Sequence, residues 1–361
     1  MKAALVNTPN GRFDIEEIEI SDPVGSEVLV EVRAAGLCHS DLLVASIDRG
    51  RPLPMVVGHE MAGVVAAVGP EVRDLAVGDH VVGSEVSFCG HCEECRTGHT
   101  FRCLAPGAIL RPAEAGPKLR RGDEAVNAFG VAGFAQYTLC HSNKLVRIPR
   151  EIPFPQAAVL GCATATGVGA ALNTAKVQPG DTVAVIGLGG IGLNILSGAR
   201  IAGASVIIGI DVHDSKLELA PGFGATHVIN SAEEDAVERV REITGRGVHH
   251  SFEAIGLART QSQAIDMARV GGGAYFIGIP QGPPLELNVM MQLIATQRRI
   301  QGVYMGSSDI RRDIPFYADL YLQGRLNLDD LIAREIRLDE INEAYRIQEK
   351  GGIARSVITS F

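Results

Sequence analysis

Residues 182–211 read TVAVIGLGGIGLNILSGARIAGASVIIGID. The uncharged, mostly apolar run Thr182–Ile186 predicts a buried strand. The run G-L-G-G-I-G follows at once. Gly187, Gly189 and Gly192 then match G-x-G-x-x-G, with Gly190 and Ile191 between them. In that spacing Gly187 makes the tight turn, Gly189 lets backbone approach a pyrophosphate, and Gly192 lets the next helix pack against the strand. Ile191–Gly203 is the expected helix, and its unpaired N–H groups face the phosphates. Ser205–Ile210 is a second apolar strand, and Asp211 closes it about 20 residues after the last glycine, where an acid accepts from the adenosine ribose. Strand, helix and spaced acid make the glycine run specific, where a bare motif would be weak. The acid favours NAD over NADP, because it would repel a 2′-phosphate, and no arginine follows it directly.

Working outward, residues beyond about 155 alternate helical and apolar-strand segments. Ser215–Phe223 is an expected helix, broken late by Pro221. His227–Asn230, Ser251–Ile255 and Ala274–Ile279 are expected strands, and Arg311–Gln323 and Leu338–Glu349 expected helices. This repetition predicts a doubly wound parallel sheet. The first 150 residues have another texture. Glu27–Ala34 alternates with period two, and Gly63–Gly69 and Val77–Val82 are short strands between glycine turns, as in a compact antiparallel β domain. Residues 104–133, rich in Pro, Gly and charge, are expected to form an extended surface loop.

The 361 residues fit two domains. A hydrophobic share of 46% argues against disorder. The net charge of −9 and the absence of Trp argue against a nucleic-acid partner. No long apolar run follows Lys2, so no signal peptide is expected, and a cytoplasmic protein is. Residues 152–175 and 182–199 lack charge, but their Gly, Ala and Thr content reads as buried core and not as a membrane span.

Seven cysteines without a secretion signal point away from disulfides. Cys89, Cys92, Cys95 and Cys103 form a cluster whose two-residue gaps let successive thiolates turn onto one ion. Four thiolates fill a tetrahedral zinc site and leave no position for substrate, so this site is structural. An iron–sulfur cluster is the alternative. The ferredoxin run, however, closes with a three-residue gap and Pro, whereas here the gap is seven residues and Leu104 follows. His91 and His99 are expected to face solvent. Taken singly, Cys38, Cys140 and Cys162 read as small buried apolar residues.

Beyond single motifs, the chain resembles the zinc-dependent medium-chain alcohol dehydrogenase family over nearly its whole length. The resemblance rests on G-L-C-H-S-D (36–41), G-H-E (58–60), the four-cysteine run, G-F-A-Q-Y-T (133–138), L-G-C-A-T-A-T-G (160–167), G-L-G-G-I-G (187–192) and A-R-S-V-I-T-S-F (354–361). It implies a GroES-like antiparallel β catalytic domain (1–163 and 304–361, with the zinc lobe at 84–110) and a Rossmann cofactor domain (164–303). It further implies two zinc ions per subunit and NAD. Cys38, His59 and Cys162 would hold the catalytic zinc, with Glu60 close behind it and Asp41 orienting His59. Ser40 would take the alcohol proton, and Leu43 stands where well-known members continue the relay with a histidine, leaving His39 or water. His39 and Arg355 would reach the pyrophosphate, Lys216 would join Asp211 at the ribose, and Thr166, Ile277 and Ile279 would line the nicotinamide.

The activity so implied is oxidation of primary alcohols, aryl and allylic ones included, to aldehydes. The zinc-bound alkoxide would pass a hydride to the nicotinamide. A thiol-adduct formaldehyde dehydrogenase is the related alternative. It would use cations such as Arg111, Lys118, Arg120 and Arg121, which otherwise read as a solvated loop. A non-catalytic zinc- and NAD-binding protein is the alternative of another class, and the retained ligands argue against it. The partners implied are a small alcohol or aldehyde and copies of the chain in a homodimer or homotetramer, with Arg298–Tyr304 as the pairing edge strand. No nucleic acid and no membrane are expected.

Overall fold

The computed structural model describes residues 1–351 and 355–361. Thr182–Ile186 lies in the middle of a six-stranded sheet, parallel throughout. Its order is His227–Asn230, Val206–Asp211, Thr182–Ile186, Val248–Glu253, Ala268–Phe276 and Arg299–Gly302. The sheet is doubly wound, and strand order reverses direction beside Thr182–Ile186, which opens a crevice at the carboxyl ends of the strands. Val183, Ala184 and Val185 are fully buried, as a central strand covered on both faces requires.

The remaining strands form two largely antiparallel sheets. The larger runs Leu145–Arg147, His80–Gly83, Glu60–Val68, Glu27–Gly36, Ser356–Ser360 and Arg334–Arg337, with Tyr137–His141 also on Glu27–Gly36. Thus the last strand of the chain returns to the N-terminal half and pairs beside Gly36. The chain is therefore α/β, with a GroES-like β domain and a Rossmann-like domain.

Between the sheets runs one helical rod, Phe154–Ala175, interrupted by π-type turns at Leu160–Thr164 and Ala170–Ala175. It is long and apolar enough to cross a membrane, but 83% of its apolar window is buried inside the fold. Its small residues let other elements approach closely. A Cβ on Gly167 would meet Ile191 O at 2.5 Å, and one on Gly169 would meet Gly306 O at 2.5 Å.

Three expectations change. Residues 104–133 are not an extended loop, because Leu119–Arg121 and Glu124–Ala128 form a hairpin that continues a sheet through Met55–Val56. Leu119 and Val126 are buried beneath it. Of the charges expected to be solvated, Arg120 is exposed, but Arg111, Lys118 and Arg121 are tied into ion pairs. Arg111 Nη1 lies 2.5 Å from Glu27 Oε2, and Lys118 Nζ 3.4 Å from Glu27 Oε1. Arg121 joins Glu16 at 2.7 Å and Glu124 at 2.6 Å. Lastly, Pro221 does not break its helix. Asp214–Phe223 runs through it and ends at Gly224, whose φ of 112° closes the last turn.

Candidate functional site

The site begins where Glu27–Gly36 ends. Leu37 and Cys38 leave the strand, and His39–Ser46 starts a helix with Cys38 as its N-cap. Across the sheet, His59 and Glu60 open the strand Glu60–Val68. Cys162 comes from the π-type turn of the buried rod, which offsets its side chain from the regular helical rows. Folding brings these four together. One ligand atom each from Cys38, His59, Glu60 and Cys162 lies within 4.8 Å of the others, and all four residues are buried.

Two thiols and an imidazole form a donor set suited to zinc with a fourth position open. Their surroundings fit that group. Asp41 Oδ1 lies 2.9 Å from His59 Nδ1 and accepts from Gly58 N–H at 3.0 Å. The carboxylate thereby fixes the ring and leaves Nε2 for the cluster. Burial disfavours a charged His59, but Asp41 and the two cysteines outweigh it and lift the ring well above its ordinary pKa. The Cys162 thiol acts as donor toward Cys38, which pulls Cys38 well below its usual range and pushes Cys162 above it. Positive His59 and Arg355 also favour thiolate at Cys38.

Glu60 sits behind the cluster. Its Oε1 accepts from Ala163 N–H at 3.1 Å and lies 3.2 Å from Arg355 Nη2, while Oε2 is buried with no partner. Burial pushes its carboxyl up to about 7, against the pull of Arg355. An orphaned oxygen beside two cysteines and a histidine is what a visiting metal would satisfy. Gly36 clears room for it, since a Cβ there would collide with Glu60 Oε2.

Arg355, 3% exposed, is no surface ion pair. It donates from Nη1 to Leu37 O at 2.7 Å, and a Cβ on Gly190 would come within 2.6 Å of Nη2. One guanidinium thus joins the cysteine–histidine cluster to the glycine turn. That turn has the geometry the spacing implies. Gly187 has φ 93°, open to glycine alone without strain, and a Cβ on Gly192 would strike Gly187 O. A Cβ on Gly189 would meet nothing within 4 Å, so this surface is free for a ligand's phosphates. Asp211 Oδ2 accepts from Leu188 N–H at 2.8 Å, and Oδ1 accepts from Val212 and His213 N–H at 2.8 and 3.1 Å. Lys216 Nζ lies 3.5 Å from Asp211 Oδ2.

Ser40 Oγ, half-buried, is 3.1 Å from Cys38 Sγ. His39 is exposed, with Nε2 3.4 Å from Gln281 Nε2. Thr166 is buried on the rod, its hydroxyl 3.7 Å from Met305 Sδ. Ile277 and Ile279 follow the strand Ala268–Phe276 at the carboxyl edge of the parallel sheet, half-buried and 42% exposed respectively. Cys140 lies in Tyr137–His141, and burial pushes its thiol up to about 11.

The second cluster is formed by Cys89, Cys92, Cys95 and Cys103, whose sulfurs all lie within 4.8 Å of one another. Sγ–Sγ separations of 3.4, 3.9 and 4.0 Å bracket the roughly 3.8 Å edge of a tetrahedron with 2.3 Å zinc–sulfur bonds. Backbone N–H groups of Cys89 and Ala105 point at Cys103 Sγ from 3.2 and 3.4 Å, and that of Cys92 at Cys89 Sγ from 3.4 Å. His91 is exposed, and His99 turns its Nδ1 to Thr97 Oγ1 at 3.0 Å.

Several contributors gave no sequence signal. Tyr345, from the last helix, donates its hydroxyl to Cys38 O at 3.1 Å and stacks on Phe13. Glu253, fully buried, accepts from Ile255 and Gly256 N–H at 2.9 and 2.7 Å and so shapes the turn against Gly187. Both act across the fold, so no local spacing announces them.

A cysteine–histidine centre tied to a dinucleotide turn defines a zinc-dependent dehydrogenase. Residues 25–150 match the alcohol dehydrogenase GroES-like domain, and residues 190–319 match the zinc-binding dehydrogenase domain. An S-(hydroxymethyl)glutathione dehydrogenase of Synechocystis is 36% identical over 99% of both chains. Among solved structures, an alcohol dehydrogenase zinc-binding domain protein from Burkholderia ambifaria superposes with a TM-score of 0.94 at 39% identity, covering 100% of this chain and 98% of the other. Benzyl alcohol dehydrogenase from Acinetobacter calcoaceticus gives 0.93 at 36%, covering 100% and 99%. The chain belongs to the zinc-dependent medium-chain dehydrogenase family and is an oxidoreductase of the alcohol dehydrogenase type that uses zinc and a nicotinamide dinucleotide.

Proposed function

We propose that this protein oxidises primary alcohols, aryl and allylic ones included, to aldehydes with NAD. The observation that carries the reading is the buried Cys38–His59–Cys162 set joined to the Gly187–Gly192 turn by one arginine. Zinc held there supplies a Lewis acid that lowers the pKa of a bound alcohol. Asp41 keeps the His59 ring oriented so that the donor set stays formed. Ser40, beside Cys38, accepts the hydroxyl proton and hands it outward. Leu43 carries no titratable group, so the proton leaves by way of His39 or water. The buried rod keeps bulk water from the back of the site. Asp211 fixes the adenosine ribose and disfavours a 2′-phosphate, which is why NAD is preferred over NADP.

The catalytic portion comprises 1–163 and 304–361, the cofactor portion 164–303, and each of the two clusters holds one zinc. Subunits associate through the edge strand Arg299–Gly302, next to exposed Met290, Met291 and Ile294. Light scattering of the purified chain separates monomer from dimer or tetramer.

A thiol-adduct formaldehyde dehydrogenase is the second reading, favoured by the name of the Synechocystis relative. It needs free cations for the thiol's carboxylates. Arg111, Lys118 and Arg121 are neutralised by Glu27, Glu16 and Glu124, which favours the simple alcohol, while Arg120 stays exposed and forms no ion pair among the described residues. The experiment is NADH formation by zinc-replete protein with primary, secondary and aryl alcohols, and with formaldehyde with and without glutathione. Benzyl-type alcohols should give the highest kcat/KM. A strict thiol requirement would replace the first reading with the second, and silence with every substrate would end both.

A further inference from the structure

Glu85 is a charged residue at the metal centre for which the reaction described so far has no use. The strands Glu60–Val68 and His80–Gly83 pair antiparallel, with Met61 opposite Gly83 and Ala62 opposite Val82. Just beyond that pairing, Glu85 follows Gly83 by two residues and His59 directly precedes Glu60. Gly130 reports the same neighbourhood, because a Cβ placed there would collide with Glu85 Oε2 and lie 3.6 Å from His59 Cβ. Glu85 Oε2 is buried without a partner, and Glu85 forms no ion pair among the described residues. Lys144, which also reaches this wall, donates its ammonium to Gly130 O at 3.0 Å. At the back of the cluster, Glu60 Oε1 pairs with Arg355 Nη2, and the unpartnered Glu60 Oε2 faces the place of the metal described above.

A buried carboxylate oxygen left unpaired is costly, and a donor brought to it gains a charge-assisted hydrogen bond. We propose that Glu85 is a specificity-determining residue whose free oxygen selects alcohols carrying a second hydrogen-bond donor, a cationic amine above all, a few bonds from the reacting carbon. The proposal rests on the alcohol-oxidising reading above. Glu85 supplies no proton to the reaction. It rewards a donor on the substrate and repels an anionic group in the same place.

The test is a matched series of similar size: 1-butanol, 3-amino-1-propanol and 3-hydroxypropanoate, with benzyl alcohol as reference. Zinc-replete wild type and Glu85→Gln are compared. In wild type kcat/KM should favour the amine over 1-butanol by about tenfold or more, each tenfold being about 1.4 kcal/mol. In Glu85→Gln that ratio should fall to near one, and the anion should gain on the other substrates. A second readout needs no turnover: the rise in Tm that 3-amino-1-propanol gives in the presence of NADH should be larger in wild type than in the variant. Equal ratios and equal Tm shifts in both proteins would overturn the proposal, and so would a uniform loss of rate at an unchanged ratio. If no alcohol is oxidised, the functional reading fails by itself. The Tm difference then still decides whether Glu85 binds the amine.

Discussion

The two cysteine clusters reach similar chemistry by opposite routes. The lobe of Cys89, Cys92, Cys95 and Cys103 is gathered from fifteen consecutive residues. Its helical turns are short, Glu93–Arg96 and Thr100–Arg102, and its sulfurs are held by backbone N–H groups of the same loop. The Cys38, His59 and Cys162 set is drawn from a strand end, a strand start and a buried helix, and it is held by the side chains of Asp41, Glu60, Arg355 and Tyr345. A metal in the lobe is part of local folding. A metal in the dispersed centre depends on the whole fold having already formed. In exchange, that centre has an open position and a tuned surround, which the closed lobe lacks.

Cys38→Ala tests the comparison most severely. It removes one of three ligands from the open centre and touches nothing in the lobe. Alcohol-dependent NADH formation should drop by about 10³-fold or more, since a lost Lewis acid is worth several kcal/mol. Bound zinc should fall from two per chain to one, with the far-UV spectrum unchanged. Loss of both ions would show that the two sites are not independent. The reciprocal variant is Cys103→Ser, whose sulfur accepts two backbone N–H bonds and packs against the main core. Here the expected loss is in stability, with Tm lower by about 5 °C or more. The remaining zinc should still support turnover at low temperature.

Asp41→Asn sharpens the contrast, because the lobe has no counterpart to this carboxylate. The amide oxygen can take the place of Oδ1 and accept from both Gly58 N–H and His59 Nδ1–H, but it brings no negative charge to hold the ring. Metal affinity or kcat/KM should fall by about 10- to 100-fold. An unchanged value would mean that the fold alone positions His59.

The same contrast explains what could be read from sequence. The lobe and the Thr182–Asp211 unit are local, so spacing alone identified their residues; Gly187 has the positive φ and Gly192 the close packing that the spacing implies, and Asp211 ends the second strand. The dispersed cluster was reached only through resemblance, because nothing in the order of Cys38, His59 and Cys162 says that a helix carries the third to the first two. The clearance at Gly36 for Glu60 and the meeting of Glu85 and His59 around Gly130 were invisible for the same reason. Residues 104–133 were misread for a different cause. Their charges look like solvent-facing polarity, but Arg111 and Glu27 face each other across 84 positions of sequence and are buried as a pair.

The smallest effect is expected far from both clusters, at the opposite end of the parallel sheet. His250 lies 3.0 Å from Asp181 Oδ2 and 3.3 Å from Tyr275 Oη, with His249 stacked beside it. Burial holds its pKa below 6.5, although Asp181 pulls it up and His249 and Arg299 add to the lowering. As pH falls below about 6.5, the unfolded chain takes up a proton that the folded ring resists. Stability is therefore full above that pH and declines as pH drops toward the folded pKa. His250→Gln should cost about 1 kcal/mol at pH 7.5, the value of one net hydrogen bond. It should also make the decline between pH 7.5 and 5.5 shallower than in wild type. Urea denaturation at matched zinc content measures both. Acid also protonates the zinc ligands in wild type and variant alike, so the difference between the two slopes isolates His250. Identical slopes would assign the whole acid dependence to the metal centres and the other buried histidines.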